Sequence, residues 1–486
     1  MSESFLASKR IRKDFSKIRK IVEIPNLISM QTESFKRFMQ MDVPPEKRKD
    51  IGLQSVFKSV FPIKDFTGSA SLEFVSYRLC DIKHSIEECV HRGMSYEMPI
   101  RITVRLVVYD VDKEAQISNI RDIKEQEIYF GTIPLMTERG TFIVNGTERI
   151  VVSQLHRSSG VFFDHDKGKT HASGKIIYTS RIIPVRGSWI DMEIDHKGIV
   201  YVRIDRRRKF PITMLFKAFG YSSEDILAYF YKTEKIILHG KSYFKQFKSA
   251  SRFVHDSLKG QHASKDIKCP KTGEIVVKKG RIITQRLIKR MESLNIESIP
   301  IDVEYILGRI FVSTIHDPNT GSPIVKCNET VDDDALKKLK NAGINQFDLL
   351  SIDGVRNSDS ICRTLSLDMV EKREEALVEI YRRLRPGNPP VPEVAQDFLD
   401  NLFFKATYYD LSGVGRLKIN LRLGINTSID LRILRKEDIL LTAKTLIDLR
   451  DTKGAVDDID HLGNRHLKRV GELLNDQVKI ALGRVN

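Results

Sequence analysis

The chain has 486 residues, 41% hydrophobic and 30% charged, and its 80 Lys and Arg outweigh 64 Asp and Glu to leave a net charge of +16. Such a length allows roughly two to four domains. No stretch approaches the about 18 apolar residues of a membrane span, and the start, MSESFLASKRIRKDF, lacks the apolar region of a secretory signal. A bacterial or organellar interior, hence a cytoplasmic location, is expected, and the positive charge favours an anionic partner.

Read in order, the chain opens on a basic arm. Residues 9–20 hold Lys9, Arg10, Arg12, Lys13, Lys17, Arg19 and Lys20 against Asp14 alone. Two readings stand open: an arm that touches a polyanion, or a solvated extension. A helix is predicted over 26–41, where Leu27, Ile28, Met30, Phe35, Phe38 and Met39 fall near helical spacing. A loop and a short helix reach residue 60, and a mostly β stretch follows to 140. Within it 71–77 alternate, with Leu72 and Phe74 on one face. Residues 98–109 (MPIRITVRLVVY) make the clearest strand, and 128–133 another that ends at Pro134.

From 140 to 209 short apolar runs alternate with basic turns. Phe142-Ile143-Val144, Asn145-Gly146 and 147–155 read as a hairpin, because Asn-Gly suits a turn whose two central residues both need φ > 0. Strands are predicted at 161–163, 175–183, 189–194 and 199–205, punctuated by Asp166-Lys167-Gly168, Arg186-Gly187 and Lys197-Gly198. Basic turns on a β scaffold point to a polyanion; turns charged for solvation are the alternative. Trp189, the only tryptophan, is either a half-buried strand aromatic or a platform for base stacking beside Arg186 and Arg206 to Arg208.

Past 209 the period becomes helical, at 212–219 and 222–231, the second opened by Ser222 with Asp225 three residues on. Residues 232–350 read as an insertion-like subdomain, with hairpins at 274–283 and 309–325 and helices at 284–292 and 332–342. Further helices are predicted at 367–384, 392–404, 436–450 and 465–485. A proline-rich stop at 385–392, a turn-rich stretch at 409–416 and a polar loop at 456–464 separate them.

Asp457, Asp458 and Asp460 form the kind of cluster that binds Mg²⁺ for phosphoryl transfer. Pairing with nearby Arg and Lys, or capping the next helix, is the favoured reading. The five cysteines, at 80, 89, 269, 327 and 362, show no CxxC spacing and suit free thiols in a reducing compartment. His156, His165 and His171 lie close in sequence but lack metal-ligand partners, so no structural zinc is expected. There is no GxxxxGK[ST], GxGxxG or GxSxG. On chemistry alone the chain reads as a binding scaffold rather than a complete enzyme.

Eleven segments, in order, carry a resemblance: RIRKDF (10–15), VFPI (60–63), VSYRL (75–79), DIKEQEIYFGTIPLMT (122–137), GTFIVNGTERIVVSQLHRSSGVFFD (140–164), DKGKTHASGK (166–175), RIIPVRGSWID (181–191), RIDRRRK (203–209), EIYRRLRPGNPP (379–390), YDLSGVGRLKIN (409–420) and VDDIDHLGNR (456–465). Together they resemble the N-terminal part of the bacterial DNA-directed RNA polymerase beta subunit. The resemblance implies a multidomain α+β architecture. It comprises a basic arm over 1–30, a protrusion over 31–145, a lobe over 146–455 with the insertion at about 232–350, the start of the fork region at 456–469, and a helix at 470–486 returning to the protrusion. Because the family's subunit is more than twice as long, it also implies a truncated or split subunit. The runner-up is a free-standing, non-catalytic basic adaptor.

By the same resemblance, Arg157, Trp189, Asp205, Asp460 and Arg465 meet the non-template strand. Trp189 stacks on an unpaired base, and Arg157, Asp460 and Arg465 help to form a base pocket. Lys169 and Arg206 are DNA or phosphate contacts, and Val152 and Gln154 belong to the rifamycin pocket beside the RNA–DNA hybrid. Two positions apart in a strand, those last two should share a face. Implied partners are DNA, the hybrid, and the beta-prime, alpha, omega and sigma subunits. No cofactor is expected on this chain, the Mg²⁺ of the whole enzyme being held by beta-prime. Ser159 stands where the family usually carries Pro, and His466 where Arg is common.

Overall fold

The computed structural model describes Lys17 and residues 26–484 apart from 66–67, 113–116, 170–171, 173, 240–241, 247–259, 261, 270–273, 295, 297, 319, 353–356 and 452–453. Except for Lys17, the basic arm of 9–20 lies outside the described residues, as does His171.

The chain forms two compact units, one of residues 1–156 and 466–486, the other of 157–465. In the first, helices α1 (Ser29–Met39) and α2 (Leu53–Val60) lead into a four-stranded antiparallel sheet ordered β1-β2-β3-β4, of Ile63–Lys64, Ala70–Leu79, Glu97–Asp112 and Ile117–Pro134. A helix, α3 (Ile86–Arg92), lies between β2 and β3. The predicted strands at 98–109 and 128–133 are thus parts of much longer ones, paired from Glu97↔Pro134 to Asp112↔Ile117. The core gathers Phe35, Phe38, Met39, Leu53, Phe57, Tyr77, Ile100 and Ile102 with Val470 and Leu482 of the C-terminal helix Val470–Leu482. At Gly471 a Cβ would lie 2.4 Å from the Ser34 carbonyl oxygen, so only glycine lets that helix sit on α1.

The Asn145-Gly146 hairpin forms as expected, between β5 (Phe142–Val144) and β6 (Thr147–Arg149), with φ +51 and +74 at its central residues. Its second arm stops at Arg149 instead of running to Leu155. Residues 150–153 belong to no strand, and β7 (Gln154–Arg157) pairs with the short strand Arg465–Lys468. The helix predicted at 465–485 is thereby shortened at its start, and begins only at Val470.

The second unit is built on a five-stranded antiparallel sheet ordered β12-β11-β10-β9-β8. Its strands are β8 (Gly160–His165), β9 (Tyr178–Ile183), β10 (Ile190–Ile194), β11 (Val200–Ile204) and β12 (Phe210–Pro211). One register row, Val161–Ile182–Ile190–Ile204, crosses four strands and is buried throughout. Helices α4 (Ile212–Ala218) and α5 (Ser223–Phe230) follow. α5 starts on a complete capping box: the Ser222 hydroxyl accepts from Asp225 N–H at 3.1 Å while the Asp225 carboxylate accepts from Ser222 N–H at 3.0 Å.

Within 232–350 the architecture is richer than the pattern suggested. Strands β13 (Thr233–His239) and β14 (Ser242–Gln246) join Ser298–Ile301 and Gln346–Leu350 in a four-stranded sheet. Thr233 pairs with Leu350, so this segment leaves and rejoins the body side by side. The hairpin predicted at 274–283 instead pairs Ile267–Lys268 with Ile275–Val277. The other pairs Ile315–His316 with Pro323–Val325, inside the predicted 309–325.

The single helix predicted at 367–384 is two helices, Ser360–Leu367 and Arg373–Leu384. Between them Asp368 turns inward, accepting from the Thr213 hydroxyl at 2.9 Å and its own neighbour Val370 N–H at 3.2 Å, and pairing with buried Lys217 at 3.1 Å. That side-chain competition for backbone donors ends the helix. Conversely the turn-rich stretch 409–416 begins a helix, Ser412–Leu423, whose glycines answer to packing. Buried Arg416 ties it to the next helix, Lys436–Arg450, through Asp438 at 2.8 Å.

Candidate nucleic-acid interface

Strand register gathers the candidates at one end of the five-stranded sheet. One step beyond the buried row lie Gly160, Ile183, Trp189 and Asp205. The β9–β10 connection with Arg186, the turn after β11 with Arg206 to Arg208, and the approach to β8 with Arg157 therefore share that end. Strands β8 and β10 are two spacings apart, about 10 Å.

Trp189 is half-buried and locked. Its N–H donates to Asp205 Oδ1 at 2.7 Å and its carbonyl accepts from Asp205 N–H at 3.0 Å. Asp205 and Arg206 both take left-handed φ, +48 and +59, in a turn closed by Arg207 N–H on the Ile204 carbonyl at 2.9 Å. Such a conformation is uncommon for Arg. It brings the Arg206 guanidinium 5.5 Å from the indole centroid, with that of Arg181 at 6.0 Å. Two guanidinium groups thus lie beside one indole, and of the two only that of Arg206 lacks an ion-pair partner among the described residues.

Neutralisation divides the arginines into two groups. Arg181 pairs with Asp191, and Arg203 and Lys209 pair with Glu193 at 3.1 and 2.8 Å. Exposed Arg157, Arg206, Arg207 and Arg208 have no ion-pair partner among the described residues. The sheet end therefore carries uncompensated positive charge around an aromatic.

The acidic loop lies along the outer edge of β8. Asp457 N–H donates to the Phe163 carbonyl at 2.9 Å, and its carboxylate accepts from Phe163 N–H at 2.8 Å and pairs with Arg422 at 3.3 Å. Farther along, Ser158 N–H donates to the Asn464 carbonyl at 3.0 Å. That bond sets Arg157 and Arg465 next to one another in the chain pair, and Arg465 in turn pairs with Asp460, which is 86% exposed. Asp458 accepts from Asp460 N–H at 3.0 Å. The three aspartates thus face separate partners. Among the described residues, no group of three His, Cys, Asp or Glu is arranged to hold a metal.

Ser159, in the usual proline position, is buried against the helix Ser412–Leu423. A Cβ on Gly415 would lie 2.7 Å from its hydroxyl oxygen, which is 3.3 Å from that of Ser412. His466, the other departure, pairs with Glu472 at 2.8 Å.

Lys169 is not with the others. The loop that holds it leaves β8 after His165, at the opposite end of the sheet, and its N–H closes a turn on the Asp166 carbonyl. Val152 and Gln154 belong to the first unit. Both face solvent, Val152 72% exposed, while Gln31 of α1 donates to Ser153 Oγ at 3.0 Å from the other side. Val152, however, lies outside any strand, and Gln154 opens β7, whose four residues are all exposed, so strand alternation does not set the two apart. Arg181 carries no distinguishing signal in the sequence; only register puts it beside Trp189.

A family model described as RNA polymerase beta subunit matches residues 26–486. The chain belongs to the RNA polymerase beta subunit family. It is 62% identical over 485 residues to the DNA-directed RNA polymerase subunit beta of Desulfatibacillum aliphaticivorans, a match covering 100% of this chain and 35% of that protein. Identity is again 62% to the corresponding subunit of Desulforapulum autotrophicum, with 34% of it covered. To that of Myxococcus xanthus it is 50% over 490 residues, or 98% of this chain and 34% of the relative. The chain thus spans about a third of the length of these curated relatives. The mixed helix-and-sheet architecture fits the family, and among the described residues no helix is long and apolar enough to cross a membrane.

Proposed function

We propose that this chain serves template-directed RNA synthesis as the beta-subunit section that holds opened DNA. The observation that carries the reading is the Trp189 platform, a half-buried indole flanked by two guanidinium groups at a sheet end with unneutralised arginines. An unpaired base stacks on Trp189, Arg206 to Arg208 follow the phosphates, and Arg157, Asp460 and Arg465 border a neighbouring base of the non-template strand. Phosphate attraction supplies affinity, and stacking adds about 1–3 kcal/mol per base. Lys169 serves as a separate phosphate contact. Val152 and Gln154, exposed together, line the side of the RNA–DNA hybrid where rifamycins bind.

In the same reading the chain assembles with the beta-prime, alpha, omega and sigma subunits in the cytoplasm and grips downstream DNA. Nucleotidyl transfer and its Mg²⁺ fall to beta-prime, and no cofactor is held here. The acidic loop suits that division, since Asp457 and Asp460 are turned to Arg422 and Arg465.

The test is Trp189→Ala in a polymerase reconstituted with this sequence. Protection of the non-template strand near the start site should weaken while assembly is retained. An unchanged footprint would return Trp189 to a purely structural role.

A further inference from the structure

We infer that Lys418 and Arg422 are positioning residues, a two-point clamp that fixes the loop bearing Asp460 and Arg465 for base discrimination. The inference rests on the proposed DNA-holding function. The two cations stand one turn apart on the helix Ser412–Leu423, so both side chains leave the same face. Lys418 Nζ donates to the Gly463 carbonyl at 2.8 Å and lies 5.6 Å from the Phe162 ring centroid. Arg422 pairs with Asp457 at 3.3 Å, donates to the Ala455 carbonyl, and its guanidinium lies 5.1 Å from the Phe163 centroid. One helix face thus grips both ends of the loop and rests on consecutive phenylalanines of β8. Asp460, between the grips, is exposed.

The clamp is stiff because its base is. A Cβ on Gly160 would sit 3.1 Å from Lys418 Cβ, and Gly415 meets Ser159 as closely, so the helix cannot sink toward β8. Lys418 is half-buried, and desolvation pushes its pKa below the ordinary lysine value against the opposing pull of Asp457. The charge-assisted bond from its ammonium to the Gly463 carbonyl ties the helix directly to the loop. A carboxylate and guanidinium that read a base edge need sub-ångström placement, and among the described residues Asp460 is otherwise held by its loop neighbours Asp458 and Arg465 alone.

Trp189 is the chain's only tryptophan, so its fluorescence reports binding of dA, dC, dG and dT homo-oligonucleotides to the full chain. Lys418→Met should compress the wild-type ratio between best- and worst-bound base by roughly tenfold, the worth of one charge-assisted hydrogen bond. Quenching by the best oligonucleotide should persist, and Lys418→Arg should restore the ratio. Equal weakening for all four bases, or an unchanged ratio, would overturn the inference. Hydrogen exchange without DNA probes the clamp independently. Amides of 458–465 should exchange roughly tenfold faster in Lys418→Met, and unchanged rates would defeat the clamp whatever DNA does. Absent Trp189 quenching in the wild type, with faster exchange in the variant, would instead refute the DNA-holding function and leave the clamp standing.

Discussion

At Gly187 the backbone has φ +126 and passes over the ring of Tyr409, where a Cβ would lie 2.5 Å from Cδ2. The adjoining Arg186 exchanges backbone hydrogen bonds with Asp410, at 2.7 and 3.1 Å. Glycine is therefore required twice, for φ and for space, two residues before Trp189. Gly187→Ala should cost about 2 kcal/mol or more through strain and overpacking. Denaturant unfolding followed by Trp189 fluorescence measures it, and a loss below about 0.5 kcal/mol would mean that the loop relaxes freely. Arg-Gly was legible as a turn; the buried ring beneath it was not, because it comes from residue 409.

Among the elements, those specified by neighbouring residues were the readable ones. The Asn145-Gly146 turn, the Ser222–Asp225 capping box and the strand at 190–194 carry their causes within a few positions. The helix Ser412–Leu423 reads as turn because Gly413 and Gly415 count against helix locally, whereas Gly415 is there for the approach of Ser159 from 256 positions earlier. The break at Asp368 has the same origin in Thr213 and Lys217. The sheet of the 232–350 segment has too little periodicity to be legible, yet its β13 holds a buried carboxylate. Glu234 accepts from Lys245 at 2.9 Å, Arg309 at 2.9 Å and the Tyr305 hydroxyl at 3.0 Å.

Burial would raise the Glu234 pKa, but the attraction of Lys245 and Arg309 prevails and holds it below the ordinary 4.5. A carboxylate with a lowered folded-state pKa contributes stability that is present above the unfolded value and lost as pH falls through the folded one. Glu234→Gln should therefore lower the opening free energy of β13 and β14 by about 3 kcal/mol at pH 7, and by progressively less below pH 4.5. Hydrogen exchange across that range checks it, and a pH-independent difference would contradict the ion-pair account.

For the molecule as a whole, family membership and the α+β class were legible because many short segments keep their order. The residues of the candidate interface stand out in composition, but their grouping does not. Trp189, Asp205 and Arg206 meet through register, Arg157, Asp460 and Arg465 through the loop along β8, and Lys169 departs from the far end. Net charge alone does not locate a binding face; the proposed one rests on Arg206 to Arg208, which have no ion-pair partner among the described residues. Replacing all three by Gln should reduce the salt slope of single-stranded DNA binding by about 2, at about 0.7 per phosphate contact. An unchanged slope would make them a solvated turn.

The most direct measurement is the fluorescence of Trp189 during titration with single-stranded DNA at fixed ionic strength. Base stacking on the indole should quench the emission saturably, and duplex DNA of equal charge should quench it far less. Binding that proceeds by anisotropy while Trp189 emission stays constant would contradict the account.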